Sequence, residues 1–353
     1  MKTEGNSIKS YAALSASEPL KPFDFNQRAM QENDCIIEIL YCGVCHSDIH
    51  QARNEWGGST FPMVPGHEII GKVKSIGSGV KNFKVGETVG VGCLVSSCKK
   101  CETCNNNEEQ FCAKGVFTYN SVDPISGTST YGGYAKEIIC HEEFVLKIGS
   151  NLSKDLARTA PLLCAGITTY SPMKQWGVKK GDKVAILGLG GLGHMAVKFA
   201  VSFGCEVTVL STSPSKESDA KKLGAHHFKI TTNPETITEL AGSFDFILNT
   251  VSANIDYKTY VNMLKTAGKM VIVGVQPEEA SVSAAPFVMG KRILAGSLIG
   301  GIKETQEMLD YCNENNIFSD IEVIKMNEIN TAYERMLKSD VKYRFVIDIA
   351  SSL

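Results

Sequence analysis

Hydrophobic positions along the chain change rhythm near residue 160. Before it, short β-branched runs at residues 35–40, 69–76 and 137–139 alternate with Gly-rich turns, the pattern of an irregular, strand-rich domain. From residue 181 onward, apolar runs at 183–187, 206–210, 244–249 and 269–273 are separated by helix-length segments. This order predicts a βαβ series and hence a parallel sheet. Beyond residue 300 the pattern predicts an amphipathic helix over 303–313, a second near 329–338 and a closing strand over 343–349.

A chain of 353 residues has room for two or three domains, at about 100–200 residues each. Lys and Arg number 36 against 38 Asp and Glu, so the net charge of -2 offers no footing for nucleic acid or a membrane surface. Hydrophobic residues at 43% and charged residues at 21% fit a globular protein and exclude disorder as the default. Residues 1–10 are polar, and no apolar run approaches the roughly 18 residues of a membrane span. A soluble, cytoplasmic protein is expected. In that reducing setting the 12 cysteines are candidates for metal ligation before disulfides.

Cys98, Cys101, Cys104 and Cys112 stand in SCKKCETCNNNEEQFC, a spacing that lets a short loop fold back and close four thiolates around Zn²⁺. The loop is otherwise polar, so a metal would supply its core. A shell closed by four cysteines leaves no open position, which makes this a structural zinc. A second set is dispersed: Cys45 in GVCHSDIH, His67 with Glu68 in PGHEIIG, and Cys164 in PLLCAGITTYSP. Singly, each could be a buried small residue or a satisfied histidine. Together they offer the three-ligand set that leaves a fourth position for water or substrate.

GLGGLG, residues 188–193, follows the apolar run 183–187 and precedes the helix-like HMAVKFAVSF. In that context it reads as a dinucleotide loop of Gly188, Gly190, Gly191, Leu192 and Gly193. Gly188 suits the tight turn, Gly190 the approach of backbone to pyrophosphate, and Gly193 the packing of helix on strand. An NAD site places an acid at the end of the second strand, where this chain has Ser211. Ser211, Thr212, Ser213 and Lys216 of STSPSK supply hydroxyls and a cation to a 2′-phosphate without repulsion, so NADP(H) is expected.

GVCHSD, GHE, the four-cysteine lobe and GLGGLG occur in one order, accompanied by NEWGGSTFPMVPGHE, APLLCAGITTYSP, AGSLIGGIKETQEM and YRFVIDI. Across nearly its whole length the chain resembles the zinc-dependent medium-chain alcohol dehydrogenases, most closely the cinnamyl alcohol dehydrogenase branch. The resemblance implies an α/β protein: a GroES-like catalytic domain, residues 1–164 and 300–353, flanking a Rossmann domain over 165–299. It implies Cys45, His67 and Cys164 as catalytic-zinc ligands, with Glu68 or water fourth, and Asp48 orienting His67 from behind. It also implies a proton relay through Ser47 and His50 and pocket walls at Trp56, Cys93, Phe117 and Ile299. The aromatic pair could equally be core residues. The expected activity is NADPH-dependent reduction of an aromatic, allylic or aliphatic aldehyde, run in either direction, by a homodimer carrying two zincs per chain. The rivals are a zinc polyol dehydrogenase and a non-catalytic NADPH-binding sensor. Cys35, Cys42, Cys140, Cys205 and Cys312, and His141, His226 and His227, take no role.

Overall fold

The computed structural model describes residues 7–353, so part of the polar stretch 1–10 lies outside the described residues. The strands are, in order, β1 (Ser7–Ala12), β2 (Lys21–Asn26), β3 (Asp34–Gly43), β4 (Ile69–Ile76), β5 (Thr88–Val91), β6 (Leu94–Ser96), β7 (Val116–Phe117), β8 (Glu137–His141) and β9 (Leu146–Lys147). Then come β10 (Lys183–Leu187), β11 (Glu206–Ser211), β12 (His227–Ile230), β13 (Phe244–Asn249), β14 (Leu264–Ile272) and β15 (Ile293–Gly296), and finally β16 (Ile321–Lys325) and β17 (Arg344–Asp348). The chain forms two compact units, one from the residues up to Cys164 together with Gly300–Leu353, the other from Ala165–Ile299.

The first unit is built on a sheet in the order β16-β17-β3-β4-β5-β9, with β8 also pairing β3. β3 is its centre because its pattern has period two: Ile37 and Ile39 are fully buried and Glu38 between them is exposed. β17 pairs antiparallel with the end of β3, Val346 opposite Gly43, and Val44 N–H donates to the Phe345 carbonyl at 2.9 Å. That pairing delivers the last strand of the chain to the residues that follow β3, where Cys45 lies.

The second unit carries a parallel sheet in the order β12-β11-β10-β13-β14-β15. Val184, Ala185 and Ile186 are fully buried, as are Ile247 and Leu248, which is why both strands read as continuous apolar runs. The run at 269–273 is only the second half of β14, whose first half carries the exposed Thr266 and Ala267 and so escapes a hydrophobic reading. The edge strands β12 and β15 are only four residues long and partly exposed, too short for their apolar positions to stand out as strand runs. In the C-terminal segment the helix Ile302–Asn315 buries Thr305, Met308, Leu309 and Cys312, the one-faced stripe that period 3.6 predicts. Among the described residues no helix is long and apolar enough to cross a membrane.

Candidate active site and metal centres

Cys45 ends the turn after β3 and caps the helix His46–Ala52. Asp48 reaches back from the third helical position to accept the Cys45 N–H at 2.8 Å, a capping box that fixes the turn. The same carboxylate, fully buried, accepts Gly66 N–H at 3.1 Å and Tyr134 O–H at 3.2 Å, and its Oδ1 lies 3.2 Å from His67 Nδ1. Asp48 therefore holds one ring nitrogen of His67 and leaves Nε2 to face a metal.

Cys45, His67, Glu68 and Cys164 are all buried, and their ligand atoms lie within 4.8 Å of one another. The Sγ atoms of Cys45 and Cys164 are 3.9 Å apart. A tetrahedral zinc with bonds of about 2.3 Å needs thiolates about 3.8 Å apart, so the pair fits. Cys164 shares a hydrogen bond with Cys45 that holds Cys45 well below, and Cys164 well above, the usual thiol range. Cys93 stands beside them: its thiol is lowered by a hydrogen bond with Cys164, and its Sγ lies 3.8 Å from the Leu163 carbonyl.

Glu68 accepts a hydrogen bond on Oε1 from Arg344 Nη2, while its Oε2 is buried without a partner. Burial pushes the Glu68 carboxyl up to about 8 in spite of that guanidinium. Sequence reasoning misses Arg344. The signal that could find it is an arginine heading the apolar run Phe345–Ile347 of the strand RFVID, where it is 3% exposed.

The second cluster is the lobe of Cys98, Cys101, Cys104 and Cys112. Sγ separations of 3.9 Å for Cys98 and Cys104 and 3.4 Å for Cys101 and Cys104 bracket the tetrahedral edge. The Thr103 hydroxyl and the Cys104 N–H draw Cys101 down to about 6, and the N–H groups of Cys98 and Lys114 point at the Cys112 sulfur. All 12 cysteines of the chain are free thiols.

Ser47 Oγ is 3.5 Å from Cys45 Sγ, and His50 follows three residues later on the same helix face. His50 Nδ1 is 2.5 Å from Glu55 Oε2, and its ring stacks on Trp56 at 4.8 Å. Trp56 is 54% exposed and Phe117 43%, so neither is a core residue. Ile299, the last residue of its unit, has φ +36°, a strained backbone for a β-branched side chain.

In the second unit Gly188 has φ +92°, and a Cβ on Gly193 would lie 2.2 Å from the Gly188 carbonyl, so glycine is required at both. Around Gly190, by contrast, no atom lies within 4 Å of such a Cβ. Gly191 and Leu192 complete the turn into the helix Gly193–Ser202. Lys216 reaches back to this loop, its Nζ donating to the Leu189 carbonyl at 3.0 Å. Ser211 is buried at the end of β11 and accepts Ser213 N–H at 3.1 Å, while Thr212 is exposed.

A GroES-like unit with two four-donor clusters, joined in one chain to a parallel-sheet unit with a glycine loop at a strand end, defines a zinc-type dehydrogenase. Residues 31–150 match the alcohol dehydrogenase GroES-like domain and residues 191–314 the zinc-binding dehydrogenase domain. The chain belongs to the zinc-binding alcohol dehydrogenase family, and it is an oxidoreductase. It is 51% identical over 344 residues to a probable mannitol dehydrogenase of Medicago sativa, covering 97% of this chain and 95% of that one. It is 53% identical over 342 residues to a probable formaldehyde dehydrogenase of Bacillus subtilis, covering 96% and 97%. Among solved structures, a cinnamyl alcohol dehydrogenase of Sorghum bicolor superposes with a TM-score of 0.96 at 42% identity, covering 99% of both chains. The CAD from Helicobacter pylori complexed with NADP(H) gives 0.92 at 43% identity, covering 98% and 99%.

Proposed function

We propose that this chain interconverts an aldehyde and its alcohol with NADP(H), the residues up to 164 and from 300 forming the catalytic domain and 165–299 the cofactor domain. The observation that carries the reading is the buried Cys45, His67 and Cys164 group, with its two thiols at a zinc-ready separation, in a chain whose second parallel strand ends in Ser211 instead of an acid. Cys45, His67 and Cys164 fit the catalytic zinc, and Cys98, Cys101, Cys104 and Cys112 the structural one. When bound, zinc supplies Lewis acidity to the substrate oxygen and the nicotinamide supplies or accepts the hydride. The chain's own residues do the rest. Ser47, beside Cys45, exchanges the proton of that oxygen, and His50, held at Nδ1 by Glu55, passes it outward. The glycine loop offers backbone N–H groups and a helix N-terminus to the pyrophosphate, and Lys216 with Ser211, Thr212 and Ser213 meets the 2′-phosphate. Trp56 and Phe117, both exposed in the first unit, and Cys93 beside Cys164 are the candidate substrate contacts there, and Ile299 is the candidate from the second unit.

A cytoplasmic homodimer accords with this reading. The cysteines are free, and the exposed Val288 and Met289 lie just before β15, the open edge of the parallel sheet. The probable mannitol dehydrogenase among the relatives keeps polyol oxidation as a second reading. The deciding experiment counts zinc per chain and compares benzaldehyde and cinnamaldehyde reduction with NADPH and NADH, alongside mannitol oxidation. Two zincs, NADPH preference and activity lost in Cys164→Ala are expected. One zinc and no turnover with either cofactor would refute the catalytic assignment, and NADPH binding without turnover of any substrate would make the chain a binding protein.

A further inference from the structure

Asp48 ties together the two segments that carry Cys45 and His67, and one of its hydrogen-bond donors, Tyr134, comes from a third segment. Gly132, Gly133 and Tyr134 lie along Val64, Pro65 and Gly66 through three backbone hydrogen bonds: Gly132 N–H to Val64 O at 2.8 Å, Gly133 N–H to Gly66 O at 2.8 Å and Tyr134 N–H to Pro65 O at 3.0 Å. The approach is close enough to demand glycine. A Cβ on Gly132 would lie 2.2 Å from the Gly66 carbonyl, and one on Gly66, at φ +104°, 2.7 Å from the Tyr134 ring. The result is a fully buried Tyr134 whose hydroxyl donates to Asp48 Oδ2 at 3.2 Å. The ring of Tyr119 stacks on His67 at 5.7 Å with an interplanar angle of 28°.

We infer that Tyr134 is a positioning residue for the catalytic zinc: its hydroxyl sets the Asp48 carboxylate that aims His67. The inference rests on the proposed reading in which Cys45, His67 and Cys164 hold a metal. A buried carboxylate with several donors is fixed in orientation, and each donor it loses frees it to rotate away from the imidazole. Tyr134 is not among the candidate ligands Cys45, His67, Glu68 and Cys164, and its hydroxyl meets that group through Asp48. Tyr119 adds the wall against which the imidazole plane is set.

The test is the release of zinc from the holoenzyme to a chromophoric chelator, with zinc counted per chain beforehand. Wild type should release its two zincs in two phases, and the phase missing from Cys164→Ala identifies the catalytic one. Tyr134→Phe, which removes one oxygen, should speed that phase about 10- to 100-fold and leave the other unchanged. In an Asp48→Asn background the same change should add nothing, because the hydroxyl has lost the carboxylate through which it acts. Should Tyr134→Phe fail to fold, 3-fluorotyrosine placed at 134 keeps the shape and strengthens the donor, and should slow the phase below wild type. Wild-type rates in Tyr134→Phe, equal acceleration of both phases, an undiminished effect in the Asp48→Asn background, or an unchanged rate with the fluorinated residue would each overturn the inference. A wild-type chain holding a single zinc would instead refute the metal assignment beneath it.

Discussion

Arg344→Met removes the guanidinium that faces Glu68 inside the first unit. Both residues are buried, Arg344 at 3% exposure and Glu68 at 0%. Glu68 Oε2 has no partner already, so the substitution strips the carboxylate of its hydrogen bond on Oε1 as well. Breaking a buried pair by removing one member costs about 3–5 kcal/mol, because the remaining charge stays desolvated. In a unit of this size each kcal/mol moves the melting temperature by about 2–4 °C, so a fall of roughly 10 °C is expected. Glu68, at about 8, carries its full charge only above that pH, so the full loss is expected near pH 9 and a smaller one at pH 7, where the carboxyl is already largely protonated. The double variant Glu68→Gln/Arg344→Met buries no charge at this point and should regain at least about 2 kcal/mol of the loss. Melting is followed by circular dichroism at pH 9 and constant zinc loading, counted for each variant. A single variant that melts within about 3 °C of wild type, or a double variant no more stable than the single, would refute the account.

Gly190→Ala should leave the melting temperature unchanged, since no atom lies within 4 Å of the added Cβ, yet weaken NADPH at least about tenfold by fluorescence titration. Gly193→Ala, whose Cβ would lie 2.2 Å from the Gly188 carbonyl, should lower both stability and cofactor affinity, and equal behaviour of the two variants would contradict this division. Gly66→Ala should cost about 2–5 kcal/mol through its positive φ and the contact with Tyr134, read as a lower urea midpoint. Asp34 is pushed up by burial but drawn below the usual carboxylate range by Arg28 and the Gln31 N–H. Its contribution is therefore present above about pH 4 and lost as pH falls through the lower folded value. The gap between the urea midpoints of wild type and Arg28→Gln should be full at pH 7 and narrow steadily as pH falls below 4, and a gap that stays constant down to pH 2 would exclude this linkage.

What could be read from the chain follows from how local each signal is. The parallel sheet was legible in β10, β11 and β13 because strands covered on both faces leave unbroken apolar runs. β12, β15 and the first half of β14 were not, since edge strands and exposed turns owe their conformation to the neighbour they pair with. The lobe at 98–112 was legible for a similar reason: its donors sit within one loop, so spacing carries the geometry. Cys45 and Cys164 are 119 positions apart, and spacing says nothing about them. Their grouping came only through resemblance to a known family.

Arg344 and Tyr134 mark the limit of that kind of reading. In sequence an arginine is a surface residue by default and a tyrosine a core one, and neither stands near a ligand motif. Arg344 is 276 positions from Glu68 and reaches it only because β17 pairs with the end of β3. Tyr134 reaches Asp48, 86 positions away, only because glycines at 66 and 132 let two backbones touch. The first set of donors to a metal is a matter of residue type and recurs as motif. The residues that orient those donors are selected by which strands happen to pass behind them, so they become visible only when the fold does.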